Sequence, residues 1–370
     1  MKISAKTRVG IVGCGVISGI YVKNCQQVFR NLEVIACADL IHPRAEACAK
    51  EYGVPQVLSI QELLASPDVD IVLNLTPPKA HAALALAALR AGKHIYGEKP
   101  LATCLEDGSK VLEAARRRAL RVGSAPDTFL GAGLQTCRKL IDDGWIGKPI
   151  AATAFMLNHG PESWHPDPAF FYQFGGGPML DMGPYYLTAL VNLIGPIRRV
   201  TGSSRASFPT RLITSEPRFG QRLKVETPTH LSGVLDFANG AVGTIVTSFD
   251  VWGHHLPCIE IHGSEGSLQV PDPNTFGGEI KIRRADAKEW QPVPHTHGNA
   301  ENNRGIGLAD MAHAIATRRP HRASGDLAYH VLDVMLAFQD ASDTGHHVEI
   351  ESACTRPAPL PLGLRTGEVG

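Results

Sequence analysis

The residues best suited to chemistry stand near the start of the chain. Gly13-Cys14-Gly15-Val16-Ile17-Ser18-Gly19 ends an apolar run, Arg8–Gly13, that reads as a strand, and a helical pattern follows from about Ser18. A first glycine in such a turn allows a tight bend, and a second lets backbone approach a pyrophosphate. The helix N-terminus adds free N–H groups and a positive dipole end. Ser18 stands where the third glycine of this fingerprint falls. Asp39 ends a second strand, 24 residues after Gly15. An acid there accepts hydrogen bonds from the ribose hydroxyls of adenosine and repels a 2′-phosphate. The expected cofactor is NAD in preference to NADP. Arg44 lies close enough in sequence to leave NADP open. Val16, Ile17 and Leu40 complete the expected contacts of this end of the dinucleotide.

A sheet must hold that turn. Residues 8–124 alternate short apolar runs with helical patterns. Leu32–Leu40, Asp70–Leu75 and His94–Tyr96 read as strands, and Pro43–Tyr52, His81–Ala91 and Leu105–Leu120 as helices. This alternation predicts right-handed crossovers and a parallel, doubly wound sheet. After about Ala125 the runs Ile150–Leu157, Leu231–Phe237, Ala241–Phe249 and Cys258–His262 are β-like, with turn signals such as Ala238-Asn239-Gly240 and Gly263-Ser264-Glu265-Gly266 between them. They predict a large, mainly antiparallel, open sheet. Helices are expected at Met179–Ile194, Gly307–Arg318 and Asp326–Ser342. The fold class is therefore α/β, with residues 1–125 as the dinucleotide-binding domain and 126–370 as an α+β domain for substrate binding and oligomerisation.

Composition bounds the function. Among 370 residues, Lys+Arg and Asp+Glu both total 36, so the formal net charge is zero. That removes the broad field that draws a protein to nucleic acid or an anionic membrane. Apolar residues at 44% allow a large core, and no uninterrupted apolar stretch approaches the ~20 residues that span a bilayer. Lys2, Lys6 and Arg8 before the first apolar run resemble a signal peptide, but Gly10, Gly13, Gly15 and Gly19 interrupt that run and no small-residue cleavage pattern follows. Eight cysteines include no CxxC pair. They are expected as reduced, buried thiols of a cytoplasmic protein, without a disulfide or zinc framework. The paired histidines His254-His255, His295/His297 and His346-His347 show no metal-ligand spacing, so no metal is expected.

Four further segments carry a resemblance. The chain reads GKHIYGEKPLA over Gly92–Ala102, NLTPP at Asn74–Pro78, GGGPMLDMGPYYL at Gly175–Leu187 and GSEGSL at Gly263–Leu268. Together with the glycine turn, these segments resemble the Gfo/Idh/MocA family of oxidoreductases, named for glucose–fructose oxidoreductase and inositol dehydrogenase. The resemblance extends over nearly the whole chain. It implies an N-terminal Rossmann domain, a C-terminal domain on an open antiparallel sheet, and action on sugars, polyols or their derivatives.

The resemblance also implies site residues. The family's catalytic lysine falls on Lys99, just past a strand, where open α/β sheets place ligands. A lysine there can hydrogen-bond a reacting hydroxyl and steady the alkoxide that forms as hydride leaves. The family's second element is an Asp with a His four residues on, and here Asp181 is followed by Tyr185. That spacing puts both side chains on one helix face. A neighbouring ammonium is expected to lower the phenol's pKa and allow acid–base work, so the proton acceptor is Lys99 or Tyr185. By family position, Thr76, Pro77, His81 and Glu98 line the nicotinamide end of the cofactor site beside Lys99. Asn158, Trp164 and His165 stand in a polar loop suited to a polyhydroxylated ring, and Asp127 edges the cleft between domains.

Three functions compete. The first is net oxidation of a pyranose, glycoside or polyol hydroxyl, C3 by family analogy, with NAD as hydride acceptor. The second is a glycosidase that oxidises C3 transiently, eliminates the C1 substituent, adds water and returns the hydride. The arginines between 198 and 222 (Arg198, Arg199, Arg205, Arg211, Arg218 and Arg222) point to an anionic, sulfonated or carboxylated, glycoside for that reaction. The third is a noncatalytic dinucleotide-bound sensor. A homodimer or homotetramer through the open sheet is expected, because its exposed face needs covering.

Overall fold

The structure is a computed structural model that describes residues 6–370, so Lys2 lies outside the described residues. Six parallel strands build the first sheet: β1 (Thr7–Val12), β2 (Leu32–Ala38), β3 (Gln56–Val57), β4 (Ile71–Asn74), β5 (His94–Gly97) and β6 (Val122–Ser124). Their order is β3-β2-β1-β4-β5-β6. Five helices connect them: α1 (Ser18–Gln27), α2 (His42–Tyr52), α3 (Ile60–Ala65), α4 (Pro78–Arg90) and α5 (Leu105–Arg117). Val9, Ile11, Val12, Ile71, Val72 and Leu73 are all buried, as parallel strands covered on both faces require. The order reverses between β1 and β4. A crevice opens there above the strand ends, where doubly wound sheets take ligands.

The second part contains α6 (Ala132–Asp142), β7 (Pro149–Leu157), α7 (Pro178–Leu193), β8 (Ile197–Arg205), β9 (Thr210–Leu212), β10 (Arg222–Lys224), β11 (His230–Phe237), β12 (Val242–Ser248), β13 (Ile259–Gly263), β14 (Gly266–Val270), β15 (Ile280–Arg284), β16 (Gln291–Val293), α8 (Ile306–Thr317), α9 (Gly325–Thr344) and β17 (Val348–Glu349). Nine strands form one sheet in the order β16-β15-β14-β13-β7-β12-β11-β8-β17, while β9 and β10 form a separate ribbon. β7 and β12 pair in parallel, and the other neighbours in the large sheet are antiparallel. α9 packs on β8 and against α7. No described helix is long and apolar enough to cross a membrane.

Two elements depart from expectation for physical reasons. α4 starts at Pro78, ahead of the expected His81, because Pro77 is extended at the cap and Pro78 suits the first turn. α6 lies outside the expected helices; beside its apolar stripe of Leu134, Cys137, Leu140 and Ile141 it also buries Gln135, Thr136 and Arg138. Those groups are satisfied: Gln135 donates to Phe129 O at 2.9 Å, and Arg138 Nε donates to Asp142 at 2.6 Å.

Candidate active site

The glycine turn is built around two different glycines. Gly13 has φ of +101°, and a Cβ there would stand 2.7 Å from the Leu75 carbonyl, so only glycine fits. A Cβ on Gly15 would meet nothing within 4 Å, which leaves open space over the backbone that a pyrophosphate needs. Asp39 ties this turn to β2. Its Oδ2 accepts from the Cys14 N–H at 2.8 Å and its Oδ1 from the Ile41 N–H at 2.7 Å. Each carboxylate oxygen keeps acceptor capacity for a ribose hydroxyl. Val16 and Leu40 flank the turn with 99% and 90% of their surface exposed. Such bare aliphatic surface at a crevice mouth is what a planar base covers. Ile17 is half-buried at the N-cap of α1. Arg44 is exposed in the first turn of α2 and has no ion pair among the described residues. The turn and its surroundings thus fit a dinucleotide.

At the other end of the crevice, Asn74 of β4 is level with Gly97 of β5. That register brings Thr76 and Lys99 out on the same edge. Thr76 Oγ1 donates to Asn74 Oδ1 at 2.6 Å, and Pro77 follows as the cap of α4. Glu98 accepts from Tyr21 O–H at 2.7 Å and from the Lys99 N–H at 3.0 Å. Lys99 Nζ reaches across to α7 and donates to Asp181 Oδ1 at 2.7 Å and to Asp181 O at 2.6 Å. The same ammonium stands over the Tyr185 ring, 5.4 Å from its centroid. The four-residue spacing on α7 therefore brings Asp181 and Tyr185 to one lysine.

The electrostatics of this trio correct one expectation. Burial opposes the charge on Lys99, but the carboxylates of Asp181 and Glu98 outweigh it and hold its pKa above the ordinary lysine value. Burial also raises the Tyr185 phenol, and the nearby charges of Lys99 and Arg304 pull it down only in part. The expected lowering of Tyr185 by its lysine neighbour is therefore overridden by desolvation.

Other residues fall elsewhere. His81 was expected along the cofactor, yet it is buried. Its Nδ1 lies 2.6 Å from Pro100 O and its Nε2 2.7 Å from Thr76 O, so it braces the two segments that flank Lys99. Asp127 was expected at substrate, yet it is 1% exposed and accepts the N–H groups of Gly305 and Gly307 at 2.8 and 3.0 Å. It anchors the start of α8. Asn158, Trp164 and His165 share the loop between β7 and α7. Asn158 Oδ1 accepts from the Gly160 N–H at 2.8 Å, and Trp164 is 66% exposed with its ring edge-on to His165. Among the described residues, no hydrogen bond or ring contact joins these three to Lys99, Asp181 or Tyr185.

The arginine cluster divides: Arg198, Arg205 and Arg222 are exposed without an ion pair among the described residues, and the other three are paired. Arg211 is buried and donates to Glu162 and Asp250, both at 2.7 Å, and to Phe249 O at 2.9 Å. Arg199 pairs with Asp236 at 2.6 Å, and Arg218 pairs with Asp167. Arg211 therefore holds the fold together and is not open to an anionic ligand. Arg304 escaped the sequence reading. It lies beside Tyr185, and its Nη1 and Nη2 donate at 2.9 Å to the neutral amide oxygens of Asn302 and Asn274. No carboxylate pairs with it among the described residues. The polar run Asn302-Asn303-Arg304-Gly305 ahead of α8 was its only signal.

Comparison with known proteins follows the same division. A model of an oxidoreductase family with an NAD-binding Rossmann fold matches residues 7–125, and a GFO/IDH/MocA C-terminal domain model matches residues 134–269. The chain is 29% identical over 353 residues to a 1,5-anhydro-D-fructose reductase of Ensifer adhaerens, covering 93% of this chain and 99% of that one. It is 32% identical over 296 residues to a dTDP-3,4-didehydro-2,6-dideoxy-alpha-D-glucose 3-reductase of Saccharopolyspora spinosa, covering 78% and 82%. The structure of a levoglucosan dehydrogenase superposes with a TM-score of 0.81 at 22% identity, covering 95% of this chain and all of that one.

Proposed function

This chain belongs to the GFO/IDH/MocA oxidoreductase family, and from that premise we propose that it moves hydride between NAD and a ring carbon of a pyranose sugar or glycoside, with C3 as the position. One observation carries the reading: the Lys99 ammonium is held by Asp181 over Tyr185, at the end of the crevice opposite the glycine turn. Bound NAD supplies the hydride acceptor or donor. Asp39 holds the ribose hydroxyls, and the turn at Gly15 admits the pyrophosphate. Their acidic and backbone character supports NAD over NADP.

The substrate oxygen sits against Lys99 Nζ. Because Asp181 keeps Lys99 protonated, the lysine is poised as a proton donor to an oxygen that gains charge, which serves reduction of a ketone at neutral pH. The relatives include both reductases and dehydrogenases. In oxidation, Lys99 must first release its proton, and it then takes the hydroxyl proton as hydride leaves. Tyr185 O–H and Arg304 hold neighbouring hydroxyls, and Tyr185 stays a neutral phenol throughout. Trp164 and His165 offer surface to the remainder of the sugar.

Incubation with NAD and a panel of pyranosides, followed by NADH absorbance and aglycone release, tests this reading. Accumulating NADH, or its consumption with the corresponding ketosugars, is the expected result. Aglycone release at catalytic NAD without net NADH would instead establish the redox-neutral glycosidase. Silence over a broad panel would leave a dinucleotide sensor.

A further inference from the structure

All eight cysteines are free thiols, and three of them meet. The sulfur atoms of Cys14, Cys37 and Cys48 lie within 4.8 Å of one another. They come from three places: the glycine turn, the C-terminal end of β2 and the inner face of α2. Cys37 and Cys48 are buried, while Cys14 is partly exposed at the crevice. The cluster lies beneath the glycine turn, and Cys14 is the least buried of its three residues. At rest its thiols make only weak contacts, Cys14 Sγ to Ala38 O at 3.7 Å and Cys37 Sγ to Ala45 O at 3.4 Å.

We propose that Cys14, Cys37 and Cys48 form a three-thiolate site for one thiophilic d10 cation, of the Cu(I), Zn(II) and Cd(II) class. With metal–sulfur distances of about 2.3 Å, trigonal or tetrahedral coordination sets sulfurs about 4 Å apart, inside the 4.8 Å within which the three sulfurs lie. An all-sulfur set selects soft cations and rejects Mg and Ca. No histidine or carboxylate joins the group among the described residues, so a fourth position falls to solvent on the Cys14 side. Binding releases the thiol protons to water and creates no other bond change.

The location gives the site a consequence. Three thiolates with a mono- or divalent cation carry net negative charge, directly beneath a turn whose N–H groups and helix dipole attract pyrophosphate. Coordination also draws Cys14 down from the turn it shares with Gly13 and Gly15. Metal and dinucleotide therefore bind antagonistically, and linkage makes the antagonism reciprocal. This coupling rests on dinucleotide binding at the turn; the metal site itself does not.

The test uses the full chain, reduced and then freed of reductant under argon, with Cd(II) as probe. Thiolate-to-metal charge-transfer absorbance should saturate at one equivalent. It should be lost in Cys37→Ala and in Cys48→Ala and kept in Cys137→Ala, which removes a buried thiol of α6. X-ray absorption on the loaded wild type, which needs no variant to fold, should count three sulfurs. The Kd for NADH should rise on loading by a factor within about 5–150, the usual span of coupled sites, and should not rise in Cys48→Ala. Absence of the band in wild type, its persistence in both variants, or fewer than three sulfurs would overturn the site. A loaded protein with unchanged NADH affinity would overturn the coupling alone.

Discussion

At the scale of single residues, the site turns on how Asp181 controls the charge of Lys99. The carboxylate both orients the ammonium and raises its pKa against the cost of burial. The folded-state value is raised, so Lys99 is protonated at neutral pH and becomes a base only as pH rises toward that value. Oxidation should therefore speed up with pH and reduction slow down. Asp181→Asn should move the basic limb of both kcat/KM profiles to lower pH; an unmoved limb would separate Asp181 from the proton step. Tyr185→Phe keeps the ring beneath Lys99 and removes only the hydroxyl. It should lower kcat/KM by about 10- to 100-fold, the worth of a hydrogen bond beside a charge. A loss below twofold in steady-state kinetics would show that the ring alone matters.

At the scale of elements, what was legible in the sequence was what is local. The glycine turn and Asp39 at the end of β2 follow from neighbours in the chain, and positions 181 and 185 came from the family resemblance, with their shared face on α7 given by the spacing. Residues positioned by distant backbone were not legible. Asp127 looks like a cleft acid in sequence, yet the N–H groups it holds belong to Gly305 and Gly307. Arg304 reaches Tyr185 only because α8 starts there, and α6 was hidden because it places Arg138 on a packed face. Asp127 also makes α8 sensitive to pH. Burial pushes its pKa up to about 6 from 3.8, against the two N–H bonds that favour its charge. A carboxyl whose folded pKa is raised contributes full stability below the unfolded value and loses it as pH rises through about 6, at a cost of about 3 kcal/mol. Asp127→Asn keeps an acceptor and removes the charge. Urea unfolding should show the variant gaining on wild type between pH 4 and pH 7; a difference independent of pH would contradict the assignment.

At the scale of the molecule, a neutral net charge coexists with strongly charged local sites, and these mostly neutralise one another within the fold. Arg211 with Glu162 and Asp250 is the clearest case. The nine-stranded sheet carries α7 and α9 on one face. On its strands Ser232, Val242 and Thr244 remain exposed. A large sheet with one face bare is expected to pair with a second copy. Light scattering should return a mass of two or four chains, and an Asp at Val242 with another at Thr244 should reduce it; a monomeric wild type would remove this expectation. We propose that the first sheet binds dinucleotide while chemistry occurs where Lys99 meets α7. Lys99→Ala separates the two. Measured on one preparation, kcat should fall by about 10²- to 10⁴-fold, as for loss of a general acid or base, while NADH binding persists. Full turnover in that variant would contradict the claim.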